Sequence, residues 1–305
     1  MAAFRPTRPP PGRLLRLGVV LDTRNPPARL VEISRMCDRV GIGAIWADGW
    51  PTLSLVAATV EHASLGVALP AGADLRALPA SALRDPEPGR GDPEPRRDPE
   101  PGRLELTVGD PSPSSLEAVR EALGGTVAGR LRPRLAVALG DGADPVPWLG
   151  VADDVLLGPG TVEEVTAAAV SLRQVAAGAG RDPATLGVAA RLPVSIGRTV
   201  AEAQARWEAD PALAALGSPP DAAIFGTLEQ CHERVIALAH AGVTDLRCVL
   251  PNTDDVHDGI AQLTAMTIGT VDKLVPGAPR SPAPPPPPGW GGRPRFPTGS
   301  PSSQR

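Results

Sequence analysis

The sequence predicts an α/β fold, a single-domain (β/α)8 barrel of the TIM type, on three observations. Short apolar runs alternate with amphipathic helical patterns, as in a parallel sheet built from strand–helix units. Capping signals recur where helices should begin. Once the proline-rich stretches are set aside, roughly 250 residues remain, the usual size of one such barrel. An open doubly wound sheet is the alternative, because periodicity alone does not establish closure. The 305 residues include 38 prolines. They suggest a disordered N-terminal arm at 1–13, a barrel over 14–275 with a low-complexity loop at 84–103, and a disordered tail at 276–305.

Residues 16–22 (RLGVVLD) form an apolar run ending on an acid, as a buried parallel strand would. Asn25 is placed to cap the next helix, with Pro26 at its first position, where the missing N–H costs nothing. Leu30, Ile33, Cys37 and Val40 recur on one face before Gly41 stops the helix. Residues 44–48 (AIWAD) read as strand two, a helix covers about 52–62, and strand three follows at 64–70. Strands four to eight are read at 104–109, 134–139, 154–157, within 186–196, and at 245–250. Four helices open on a capping-box pattern: Ser114 with Glu117, Thr161 with Glu164, Thr199 with Glu202, and Thr227 with Gln230. Val162, Val165, Ala169, Leu172 and Ala176 share one helical face, and Leu228, Cys231, Val235 and Leu238 another. A closing helix runs over 256–274.

Between strands three and four stands DPEPGRG, DPEPRR, DPEPGR, repeating at intervals of seven and then six residues. So short a proline-rich unit cannot bury a core and reads as a solvated, extended loop.

Composition excludes several functions. Net charge is −4 with the signs interspersed, which leaves no basic stripe for nucleic acid. No apolar run approaches a membrane span, and residues 17–21 are too short for a signal core. Cys37, Cys231 and Cys248 sit inside apolar patterns without a C-x-x-C pair, which points to a reducing, cytoplasmic setting. His62, His232, His240 and His257 are scattered, with no metal-ligand spacing. No P-loop or G-x-S-x-G occurs. With no tyrosine and only three phenylalanines, few side chains are available for proton transfer or stacking.

Four segments in order resemble the luciferase-like monooxygenase family of flavin- and deazaflavin-dependent oxidoreductases. Residues 41–48 (GIGAIWAD) are similar to its second-strand signature, 180–186 (GRDPATL) to its approach to strand seven, 198–203 (RTVAEA) to its next helix start, and 226–251 to its last helix–strand unit. The resemblance covers about 16–275. It implies a barrel enzyme using FMN or coenzyme F420 on a small-molecule substrate, and a homodimer through helix faces. Asp48 is followed by Gly49 and Trp50, where deazaflavin-dependent members usually place a histidine. Only residues 110–125 stand where the family has a long excursion after strand four. These departures support a second reading, a catalytically inactive paralogue with a binding or regulatory role.

Strand C-termini carry the chemistry of such barrels. Asp48 is therefore the candidate catalytic residue, against the plainer reading of a solvated loop acid. Trp50 is a candidate cofactor wall, against a tryptophan covering the barrel rim. Leu69, Pro70 and Gly109 are candidate cofactor contacts at the ends of strands three and four, against ordinary strand ends and turn chemistry. Asp22 holds the equivalent position on strand one. Residues 158–161 precede a helix N-terminus, where a phosphate would compete with Glu163 and Glu164; capping is the favoured role.

Overall fold

The computed structural model describes residues 15–69, 104–109, 112, 115–117, 119, 133–139, 144–217, 221–253 and 256–274, with side chains of the last helix described through residue 266. The arm, the DPEP repeat, the tail, Pro70 and Ser114 lie outside the described residues.

Among the described residues nine parallel strands form the sheet: β1 (Arg16–Val20), β2 (Ala44–Ala47), β3 (Ser64–Leu69), β4 (Leu104–Val108), β5 (Arg134–Ala138), β6 (Asp154–Leu157), β7 (Gly187–Gly197), β8 (Ile224–Thr227) and β9 (Asp245–Val249). Each of β1 to β6 pairs with the next, β6 pairs with β7, β7 with β9, and β9 returns to β1. The barrel is closed by eight strands, those read from the sequence. The ninth, β8, was not anticipated. The 11-residue β7 runs beyond the ring, and its last four residues, Val194–Gly197, pair with β8.

The helices whose bounds fall among the described residues are α1 (Pro27–Arg39), α2 (Trp50–Ala57), α3 (Val162–Gly178), α4 (Val200–Ala209), α5 (Pro211–Ala214), α6 (Leu228–Ala241) and α7 (Val256–Leu274). Alternate strand residues such as Leu17, Val19, Ile45, Leu65, Val67, Leu106, Val155 and Leu246 join buried helix residues in one large core. Burying a Leu, Ile or Val side chain stabilises by about 1.5–3 kcal/mol, so the core lies mainly between the ring and its helices.

Several local expectations are corrected. Pro26, not Asn25, is the N-cap of α1, because Asn25 turns back and donates from both its backbone and side-chain amide to the carbonyl of Asp22. The second helix begins earlier and ends earlier than 52–62, since Pro51 favours its first turn and the Asp38 carboxylate accepts from the backbone N–H groups of Glu61, His62 and Ala63. Thr161 with Glu164 and Thr227 with Gln230 form complete capping boxes. Thr199 accepts from the Glu202 N–H, but the Glu202 carboxylate accepts from Arg198 instead, so that box has one arm. Leu228 is exposed, because the inward face of α6 starts a turn later at Cys231.

Candidate functional site

Inside the ring, the alternate residues include a polar and charged set besides the apolar cluster of Val20, Ala44 and Trp46. Arg16 lies between Glu105 and Asp245, ion-pairing with both. Arg134 pairs with Asp154. Glu105, Asp154, Asp245 and Arg247 are almost fully buried. Three arginines face three carboxylates here, so the layer is neutral as a set. Burial would push the Asp245 carboxyl upward, but attraction to Arg16 and Arg247 outweighs it and holds the group below the usual carboxylate range.

From that layer Arg247 crosses the barrel. Its Nη1 donates to Thr107 Oγ1 at 2.6 Å, its Nε lies 3.4 Å from Asp245, and its Cζ stacks 3.4 Å from the ring centroid of Trp46. Trp46 fits because both neighbouring strands present glycine. A Cβ on Gly66 would overlap the indole, and one on Gly18 would lie 3.1 Å from its Nε1. Among the described residues neither Trp46 Nε1 nor Arg247 Nη2 has a hydrogen-bond partner, although both are buried.

Asp48 takes the next inward position just after β2, at the C-terminal mouth. Its carboxylate lies 3.7 Å from Arg191 Nη1, and the two side chains are 44% and 43% exposed. Arg191 stands beside Arg247 in the β7–β9 register. Sequence reading missed Arg191; the signal was there, an arginine at an inward position of a strand whose alternate residues Val188, Ala190 and Leu192 enter the core. Across the mouth, β3 to β5 contribute Ala68, Gly109 and Ala138, none of them fully buried. Among the described residues this wall carries no long side chain.

The other candidates fall into different settings. Trp50 opens α2 and packs half-buried against the main core, with its indole N–H buried and unpartnered. Leu69 turns its side chain into the same core, leaving its carbonyl toward Gly109, where an added Cβ would make an ordinary contact at 3.6 Å. Gly109 is thus at the mouth wall and Leu69 behind it. Asp22 accepts from the Arg24 backbone and guanidinium, while Arg24 also reaches Asp210, which in turn accepts from Ala212 N and Asn252 N. Asp22 therefore ties rim loops together. The Thr161 N–H is taken by Glu164, so that helix start serves its own cap.

The segment at 180–186 is structural. Arg181 donates to the carbonyls of Leu149 and Ala152, and Asp182 caps the 3-10 turn before β7. It borders an open groove of about 650 Å³ at the opposite, N-terminal face of the barrel. Among the described residues no group of His, Cys, Asp or Glu is arranged to hold a metal ion, and no helix is long and apolar enough to cross a membrane.

The fold has clear relatives among solved structures. It is similar to a coenzyme F420 dependent tetrahydromethanopterin reductase from Methanopyrus kandleri, with TM-score 0.61, 14% identity, and coverage of 84% of this chain and 99% of that one. It is also similar to the monooxygenase RslO1 from Streptomyces bottropensis, at TM-score 0.58, 14% identity and coverage of 86% and 98%. An EDTA monooxygenase from Chelativorans sp. BNC1 matches at TM-score 0.59, 13% identity and coverage of 87% and 95%. No family model and no curated protein matches the sequence. The closed parallel barrel is the fold of these solved reductases and monooxygenases, and is the fold that the sequence resemblance implied. At these identities the likeness is one of fold.

Proposed function

We propose that the protein is a luciferase-like oxidoreductase that binds a reduced flavin or deazaflavin in the C-terminal mouth and acts on a small molecule. One observation carries this reading: the mouth sets a wall of small residues, Ala68, Gly109 and Ala138, opposite the Asp48–Arg191 pair. A planar ring fits a wall without long side chains, and Arg191 is a cation for the anionic part of a cofactor or substrate. The bound cofactor supplies the electrons; the protein holds it, orients the substrate and excludes water. Asp48 orients and polarises the bound molecule, and its separation from Arg191 leaves both groups available to a ligand.

Fluorescence titration with FMN and, separately, with coenzyme F420 tests the reading. Saturable binding of one supports it and selects the cofactor. No binding of either by a protein with a folded circular dichroism spectrum overturns it.

A second reading, an inactive barrel with a binding role, draws on the connection after β2. Only Asp48 and Gly49 separate that strand from α2, a short loop where barrel enzymes place catalytic groups. Binding without turnover of any reduced cofactor would favour it.

A further inference from the structure

Two buried donors, without acceptors among the described residues, adjoin the exposed Asp48–Arg191 pair. Trp46 Nε1 and Arg247 Nη2 belong to side chains stacked on each other. Asp48 is the next inward residue after Trp46, just after β2, and Arg191 is the register partner of Arg247 on β7. A buried donor left without an acceptor is unfavourable, so two in one place mark a position where an acceptor would be held. The charge distribution gives the acceptor its sign. Arg16 and Arg134 each have a close carboxylate partner, whereas Arg247 has the Thr107 hydroxyl and only a 3.4 Å contact with Asp245, which Arg16 shares. Among the described residues Arg191, next to it, has only Asp48 at 3.7 Å.

We propose that the mouth holds the carboxylate group of a small acid between Arg191, Arg247 and the Trp46 indole N–H, with Asp48 acting as the internal carboxylate that the ligand displaces. Planar guanidinium groups suit carboxylate oxygens, and an exposed ion pair is cheap to open. Asp48 thereby sets specificity: it repels an anion that fails to win Arg191 from it. The inference builds on the mouth as the binding site but does not depend on which cofactor binds there, or on turnover.

The test is a titration of the full chain with sodium acetate, and separately with neutral acetamide, followed on the indole N–H signals in 15N-resolved NMR. The chain has five tryptophans, and a Trp46→Phe variant identifies the relevant signal by its loss. Acetate is expected to move the Trp46 signal saturably. Asp48→Asn should tighten acetate binding by roughly two- to fivefold, the range of an exposed ion pair, and Arg191→Met should weaken it. An unmoved Trp46 signal overturns the proposal. So does an equal response to acetamide, which would assign the donors to a neutral carbonyl. Because no flavin is present, this result is read separately from cofactor binding.

Discussion

Arg247 lays its guanidinium on the indole of Trp46, with Cζ 3.4 Å from the ring centroid, and together they floor the barrel mouth. The arrangement depends on two residues that are absent as side chains. Gly66 and Gly18, on the flanking strands, leave the space that the indole fills.

Gly66→Ala should therefore destabilise the fold by about 1–3 kcal/mol, the usual cost of overpacking a filled interior. Urea unfolding measures the loss, and near-ultraviolet circular dichroism should report the displaced indole. Adding Trp46→Leu to that variant should recover part of the stability, since the smaller side chain vacates the space.

The buried Asp245 carboxylate compensates Arg16 and Arg247. Asp245→Asn leaves those arginines without it and should cost about 3–5 kcal/mol. The pH dependence follows from the sign of the shift. A carboxyl held below its ordinary value of about 3.9 contributes stability that is present above that value and lost as pH falls through the folded one. Asp22 and Asp210 are lowered as well: burial opposes the shift, but in Asp22 bonds from Arg24, and in Asp210 bonds from Asn252, Ala212 and Arg24, outweigh it. Unfolding free energy should be nearly flat from about pH 7 to about pH 5 and fall steeply below about pH 4. A flat profile down to pH 3 in chemical denaturation would contradict the buried pairing.

Much of this structure was legible in the sequence. The eight ring strands and both complete capping boxes follow from apolar runs and from Thr-x-x-Glu/Gln, because those signals act over a few residues. What failed was non-local. β8 is four residues long and exists only because β7 overruns the ring to pair with it. Asn25 looked like a cap until the Asp22 carbonyl competed for it. At the site, Asp48 was readable as the acid ending a strand. Arg191 was readable only from the two-residue alternation of β7, and its approach to Asp48 requires β2 and β7 to face each other across a closed ring. The stacking of Arg247 on Trp46 likewise joins residues 201 positions apart in sequence, by subtraction of their numbers.

The three thiols, Cys37, Cys231 and Cys248, are all buried and free. Burial pushes Cys37 and Cys231 up to about 12, and Cys248 higher still. None should react with a disulfide reagent at pH 8 while the protein is folded, and all three should react in denaturant. A rapid native equivalent would show an accessible thiolate that this packing does not provide.

The proposed function places the cofactor in the C-terminal mouth rather than in the groove beside Arg181. Calorimetric titration of FMN and coenzyme F420 into the wild type, Arg191→Ala, Asp48→Ala and a groove variant, Val146→Asp, tests it most directly. Arg191→Ala should weaken the binding of whichever cofactor is selected by about tenfold or more, the loss of a charge-assisted hydrogen bond. Asp48→Ala should change the affinity measurably, and Val146→Asp should leave it unaltered. Binding that survives both mouth substitutions and fails in the groove variant would contradict the account.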